Sequence, residues 1–205
     1  MSAFLGPIHH VMYAKILLQD RISEALLSHA EQQGWTTDLR AAVDAAAPAA
    51  PDRPLEEIIN ASNIHGWLAR AVSGCETRLA AIAATILDGH PECLEPLTAA
   101  VYALGAAQTL PAQADAPAVF DAMTAVLLDG MPCDRPLQVQ DSAADRVIWT
   151  VGTCPHAPYW ENSSVGTGIY YTLRTALLSG MLQGTGYSYA QSANGTFTLK
   201  KEDAA

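Results

Sequence analysis

Thiol, imidazole, phenol, indole and carboxylate groups crowd one short stretch of this 205-residue chain. It reads Cys154-Pro155-His156-Ala157-Pro158-Tyr159-Trp160-Glu161 and follows the β-type run that opens at Val147. Groups gathered at the mouth of a strand sit where rigid scaffolds tend to hold binding and catalytic residues. Pro155 biases Cys154 toward an extended conformation, and persisting strand geometry would project Cys154 and His156 to the same side. A thiolate beside an imidazole is a nucleophile with a lowered pKa, and the same pair could also supply two ligands to one metal. The bland alternative is an inert buried cysteine next to a surface histidine, since free cysteine is commonly a small core residue.

Further groups could complete such a site. Cys133, in Met131-Pro-Cys-Asp-Arg-Pro136, precedes the strand Leu137–Gln140, and Cys154 ends the strand that follows it. Both thiols therefore fall at one end of the expected hairpin, which makes Cys133, Cys154 and His156 a candidate metal cluster. His9 and His10 lie in the first turn of the opening helix, where the helix dipole disfavours imidazolium and leaves rings able to coordinate a metal or accept a proton. His9 shares a face with Tyr13, Ile16 and Asp20, whereas His10 shares one with Ala14, Leu17 and Arg21. One is then a core-edge group and the other exposed, unless both contribute to a site. Tyr159, Trp160, Tyr187 and Tyr189 complete the candidate ligand-binding set. His65 and His90 read as an interior helical group and a helix C-terminal dipole partner. The Ser163–Gly168 segment matches no nucleotide-binding pattern and reads as ordinary N-capping.

These groups need elements to position them. Gly6-Pro7 opens a helix that runs to about Gln33 and stops at Gly34. Residues 46–54 form a proline-rich linker. Helices are expected over about Leu55–Val72, Glu76–Leu87, from near Glu92 to before Pro111, and over Pro117–Leu128. The character changes after Gly130. Leu137–Gln140 and Arg146–Cys154 read as strands joined by a five-residue turn, and a helix spans about Gly168–Leu182. Tyr187–Ala193 and Thr196–Lys200 flank Asn194-Gly195, the strongest short-range hairpin signal. A two-residue turn there pairs Ser192 with Phe197, placing Ala190, Phe197 and Leu199 on the core face and both tyrosines on the other. The fold class is α+β. A helical region, 1–130, and a β-β-α-β-β antiparallel lobe, 131–205, form one compact domain.

Composition narrows the function classes. The net charge is −10, and no basic cluster exists beyond Lys200-Lys201, so a nucleic-acid partner is not expected. No apolar run approaches the length of a spanning helix and the N-terminus lacks a signal-peptide core, which predicts a cytoplasmic chain without a membrane partner. The four scattered cysteines read as free thiols.

The tail, with its strand ending in Cys154-Pro155, its helix carrying Gly180-Met-Leu-Gln-Gly184 and its terminal hairpin, resembles the 4-vinyl reductase type of small-molecule-binding domain. It is also similar to the thiazoline-carboxylate hydrolase-like families. The resemblance covers residues 147–200 and implies a binding or sensor domain for a small, often hydrophobic ligand, or an enzyme on that scaffold. Those families often carry further cysteines on the helix and last hairpin. Here Thr167–Tyr171 and Thr196–Leu199 have none, so a multi-cysteine metal site is not carried over. The leading expectation is a protein that holds a small, largely apolar ligand or a metal-containing cofactor between the helical layer and the β lobe. The alternatives are a Cys154-dependent hydrolase or transferase acting on a small amide or thioester-like substrate, and a structural homodimer built on the alanine-rich helices.

Overall fold

The computed structural model describes residues 4–111, 114–134, 136–161, 163–192 and 195–202. Helices α1 (Pro7–Gln33), α2 (Leu39–Ala46), α3 (Leu55–Ile58), α4 (Ile64–Leu87), α5 (Leu94–Ala106) and α6 (Ala116–Val126) precede the first strand. Strands β1 (Leu137–Ala143) and β2 (Arg146–Val151), helices α7 (Ala157–Trp160) and α8 (Thr167–Met181), and strands β3 (Tyr187–Gln191) and β4 (Thr196–Lys201) complete the chain. The sheet is antiparallel with strand order β1-β2-β4-β3, so the fold is α+β as the sequence indicates. No helix among the described residues is long and apolar enough to cross a membrane.

α1 begins at Gly6-Pro7 and ends on Gly34, whose left-handed conformation (φ +67°) closes the helix with bonds to the Ala30 and Glu31 carbonyls. Two helix boundaries differ from expectation. α3 is a single turn, and α4 starts afresh at Asn63, whose side chain accepts from the Gly66 N–H. From there α4 runs unbroken through Ser73-Gly74, because Leu68, Val72, Cys75, Leu79, Ile82 and Ile86 keep a helical apolar stripe that tertiary packing buries. α2 was not expected at all. Its two anchors, Leu39 and Val43, are one turn apart and buried.

The main core joins α1, α4, α5, α6 and α8 to one face of the sheet, through Leu26, Leu79, Leu97, Met123, Leu177, Trp149 and Phe197 among others. α5 and α8 approach most closely at two glycines. A methyl group on Gly105 would lie 2.1 Å from the Leu177 carbonyl oxygen, and one on Gly180 would lie 2.1 Å from the Tyr102 carbonyl oxygen. A second, smaller cluster holds Met12, Ile16, Ile64, Leu68, Val72, Cys75 and Leu128, flanked by Trp67 and Met131. It lies where the helical region meets the chain entering the β lobe.

The sheet departs from expectation in two places. The β1–β2 turn is two residues, Ala144-Asp145, because Ala143 pairs with Arg146; the first three residues of the expected five-residue turn, Asp141–Ala143, join the ladder. A bulge between Val139 and Asp141 absorbs the extra residue. In the last hairpin Gln191, not Ser192, stands opposite Phe197. Asn194 of the expected turn and Ala193 before it lie outside the described residues, while Gly195 takes φ +76°. A one-residue register shift reverses every side chain of a strand. Tyr187 and Tyr189 therefore join Phe197 and Leu199 on the core face, where Phe197 stacks on Trp149 with ring centroids 5.7 Å apart. Burial of that aromatic group outweighs the two-residue turn preference.

Candidate functional site

His156 starts α7 and is only 1% exposed. Its Nδ1 lies 2.9 Å from Glu76 Oε1 on α4, and its Nε2 lies 3.6 Å from Asp129 Oδ1. Its ring stacks on Tyr170 of α8 at 3.8 Å. Asp129 in turn meets Arg174 of α8, with Nη1 2.9 Å from Oδ1 and Nη2 donating to Oδ2 at 3.0 Å. The Arg174 guanidinium also donates to the Tyr170 hydroxyl at 3.0 Å. With His156 protonated, two carboxylates face two cations and the buried network is neutral. Burial disfavours the imidazolium, but bonds to Asp129 and Glu76 outweigh it and raise the His156 pKa above its ordinary value. Burial likewise raises the Asp129 carboxyl, yet Arg174 and His156 overcome this and hold it below its usual value. With both imidazole nitrogens directed at carboxylates, this network ties α4, α7, α8 and the loop after α6 together.

The other members of the sequence cluster go separate ways. Cys154 is half-buried, and its sulfur lies 3.2 Å from the Tyr171 hydroxyl, so it does not bond His156. Burial, with Cys154 adding to it, raises the Tyr171 phenol. Trp160 is fully buried, edge-on to Tyr170. Tyr159 bonds Ser73 at 3.0 Å on the rim of a depression of about 350 Å³ that also includes Thr153 and Pro155. Tyr187 donates to the Ala114 carbonyl at 3.0 Å, and Tyr189 lies against Phe197, where burial pushes its phenol up to about 12. Both tyrosines belong to the core.

The metal cluster expected from Cys133, Cys154 and His156 does not form. Among the described residues no group of three or more His, Cys, Asp or Glu side chains is placed to hold a metal ion. The reason is local. Carboxylates engage both His156 nitrogens, Tyr171 engages Cys154, and Cys133 is exposed beside Asp134. The two thiol segments do meet at one end of the hairpin, where the Gly152 N–H donates to the Pro136 carbonyl at 2.9 Å.

The opening histidines divide as their faces require. His10 is exposed, with Nε2 3.4 Å from Glu56. His9 is buried, and its Nδ1 accepts the Gly6 N–H at 2.8 Å, which caps α1. That acceptor role places the proton of the neutral ring on Nε2. The His9 ring faces His65 of α4 with centroids 5.5 Å apart. These two rings, with Ile8, Met12, Leu68, Met131, Pro132 and Cys133, line a partly open chamber of about 210 Å³. Every surface that it exposes is apolar, so the rings present their carbon edges to it. α1 and α4 form one wall, and the segment entering the β lobe forms the other.

Sequence reasoning placed His9 and Cys133 among the candidates but set His65 aside as an interior group. Glu76, Asp129 and Arg174 were also missed. Glu76 and Arg174 are charged residues on otherwise apolar helix faces, and that pattern was legible. No family model matches the chain, and neither a curated protein nor a solved structure is similar to it.

Proposed function

We propose that this protein binds a small, largely apolar ligand in the chamber between α1, α4 and the segment Met131–Cys133. The observation that carries the reading is a 210 Å³ cavity with wholly apolar exposed surface, walled by two separate parts of the chain. Ligand cavities are concave and mostly apolar, and they occur preferentially where structural units meet. Met12 and Met131 add adaptable side chains to the wall. Excluding water from such a surface stabilises an apolar guest by roughly 25 cal/mol per Å² buried.

The cysteine-dependent hydrolase or transferase has weaker support. A nucleophilic thiol needs a base within hydrogen-bond reach. The partner of Cys154 is the Tyr171 phenol, whose raised pKa keeps it protonated at neutral pH, and His156 is engaged elsewhere.

Methionine methyl NMR tests the binding reading. Met12 and Met131 line the chamber, whereas Met123 and Met181 sit in the main core. Titration with n-butylbenzene should move the Met12 and Met131 methyl signals saturably and leave those of Met123 and Met181 in place. No saturable shift up to the solubility of the probe, or equal shifts at all four methyls, would refute it.

A further inference from the structure

The face of α1 that borders the chamber continues toward its middle. Ile8, Val11 and Lys15 stand at i, i+3 and i+7 and so share a face. Ile8 and Val11 are 50% and 41% exposed, a large apolar exposure for neighbouring helical residues. With Met131, Pro132, Pro136 and Leu137 they wall a second cavity of about 410 Å³. This cavity shares Ile8, Met12, Met131 and Pro132 with the apolar chamber, so the two adjoin as one trough.

The far end of the trough carries two charged side chains, Lys15 and Asp129. Asp129 is already answered, because Arg174 takes both its oxygens and His156 approaches one of them. Lys15 is not. Its half-buried ammonium donates to the Thr124 carbonyl at 2.9 Å and makes no ion pair within 4.0 Å among the described residues. An ammonium has three N–H donors, so two remain for a ligand. Burial pushes the Lys15 pKa below its ordinary value, against partial relief from Asp129 and with added repulsion from Arg174. An anion beside it would reverse that penalty.

We propose that the ligand is an elongated amphiphile with a carboxylate head. Its apolar tail lies in the chamber beside His9, His65 and Leu68, and its head accepts hydrogen bonds from the Lys15 ammonium. The six steps from His9 to Lys15 span about 9 Å along the helix axis, which a medium-length acyl chain bridges. The inference rests on the apolar-ligand reading and adds the head group to it. A charge-assisted bond in a partly dry site fixes orientation and favours the ionised acid over the alcohol of equal length. The free acid is the source intended, since a chain of net charge −10 is repelled by an anionic lipid surface.

The test compares octanoate, octan-1-ol and octylamine at neutral pH and low salt, read by the Met12 and Met131 methyl signals. Octanoate should bind about tenfold more tightly than octan-1-ol, with octylamine weakest. Lys15→Met should abolish the preference of octanoate over octan-1-ol, and Lys15→Arg should keep most of it. Equal binding of acid and alcohol, or a preference for the amine, would overturn the head-group assignment even if n-butylbenzene still binds. If n-butylbenzene and all three octyl compounds fail together, the apolar-ligand reading has failed first. Sedimentation with phosphatidylglycerol vesicles, lost in Lys15→Met, without binding of free octanoate would also overturn it. The wild-type comparison of acid, alcohol and amine decides the matter even if the methionine variant does not fold.

Discussion

Replacing Asp20 by asparagine should stabilise this protein at neutral pH and leave it nearly unchanged in mild acid. Asp20 lies on α1 and is buried. One carboxylate oxygen accepts the Ala50 N–H at 2.8 Å, while the other is buried without a hydrogen-bond partner among the described residues. Burial is the dominant influence and raises its pKa from 3.8 to about 6, against smaller opposing effects of the Ala50 bond and Arg78. A group whose pKa is raised on folding contributes stability that is complete below its unfolded value and lost as pH rises through the folded one. Each tenfold change in proton affinity between the folded and unfolded carboxyl is equivalent to about 1.4 kcal/mol. The wild type should therefore lose about 2.5 kcal/mol relative to Asp20→Asn between pH 4 and pH 7. Asparagine keeps the acceptor for Ala50 and carries no charge to desolvate. Urea unfolding of both proteins at several pH values measures the difference directly, and groups common to both cancel. Near neutral pH the variant should melt roughly 6–12 °C higher for a domain of this size. A stability difference that stays flat from pH 4 to 7, or falls as pH rises, would refute the reasoning.

Two other perturbations probe the frame around the site. Gly180→Ala and Gly105→Ala each drive a methyl group against backbone of the facing helix, so each should cost about 2–3 kcal/mol in urea unfolding instead of the gain usual for alanine in a helix. The double variant should cost less than the sum, because one separation of α5 from α8 relieves both clashes. For the buried network, His156 should remain protonated in imidazole NMR spectra above pH 6.5, and its contribution to stability should disappear as pH rises through its elevated folded pKa. Asp129→Asn should cost about 3 kcal/mol or more by leaving Arg174 and His156 short of a counter-ion.

What was legible in the sequence follows from how locally each feature is determined. α1 was readable to the residue because Gly6-Pro7 and Gly34 mark its ends by backbone chemistry alone. The order of the four strands and of the long helix α8 in the tail was readable from turn residues and periodicity, whereas the one-turn α7 was not. The register of the last hairpin was not, because Asn194-Gly195 suggests a turn while the burial of Tyr187, Tyr189 and Phe197 against Trp149 decides which residues face inward. α2 was missed because it is short and depends on just two buried anchors, Leu39 and Val43. The break between α3 and α4 depends on the Asn63 cap, which competes with an equally good helical reading of the residues around it.

The site was less legible, and the cause is distance along the chain. The cluster from Cys154 to Trp160 drew attention because reactive groups adjoin in sequence, but β2 ends at Val151, short of the expected Cys154, and residues in the loop after it and on a one-turn helix point to different neighbours. His156 finds Glu76 eighty positions away, Tyr159 finds Ser73 and Cys154 finds Tyr171. With Glu76 at one imidazole nitrogen and Asp129 facing the other, His156 is engaged by the protein itself, so its chemistry is directed at holding helices together. The chamber has the opposite character. Its wall offers exposed apolar surface, and the adjoining trough ends at Lys15, which makes no ion pair among the described residues. An apolar surface left uncovered and a charge left unanswered are both unfavourable alone, and a single amphiphilic guest relieves both. That shared need, more than the reactivity of any one side chain, is why the α1 face from Ile8 to Lys15 reads as the functional surface of this fold.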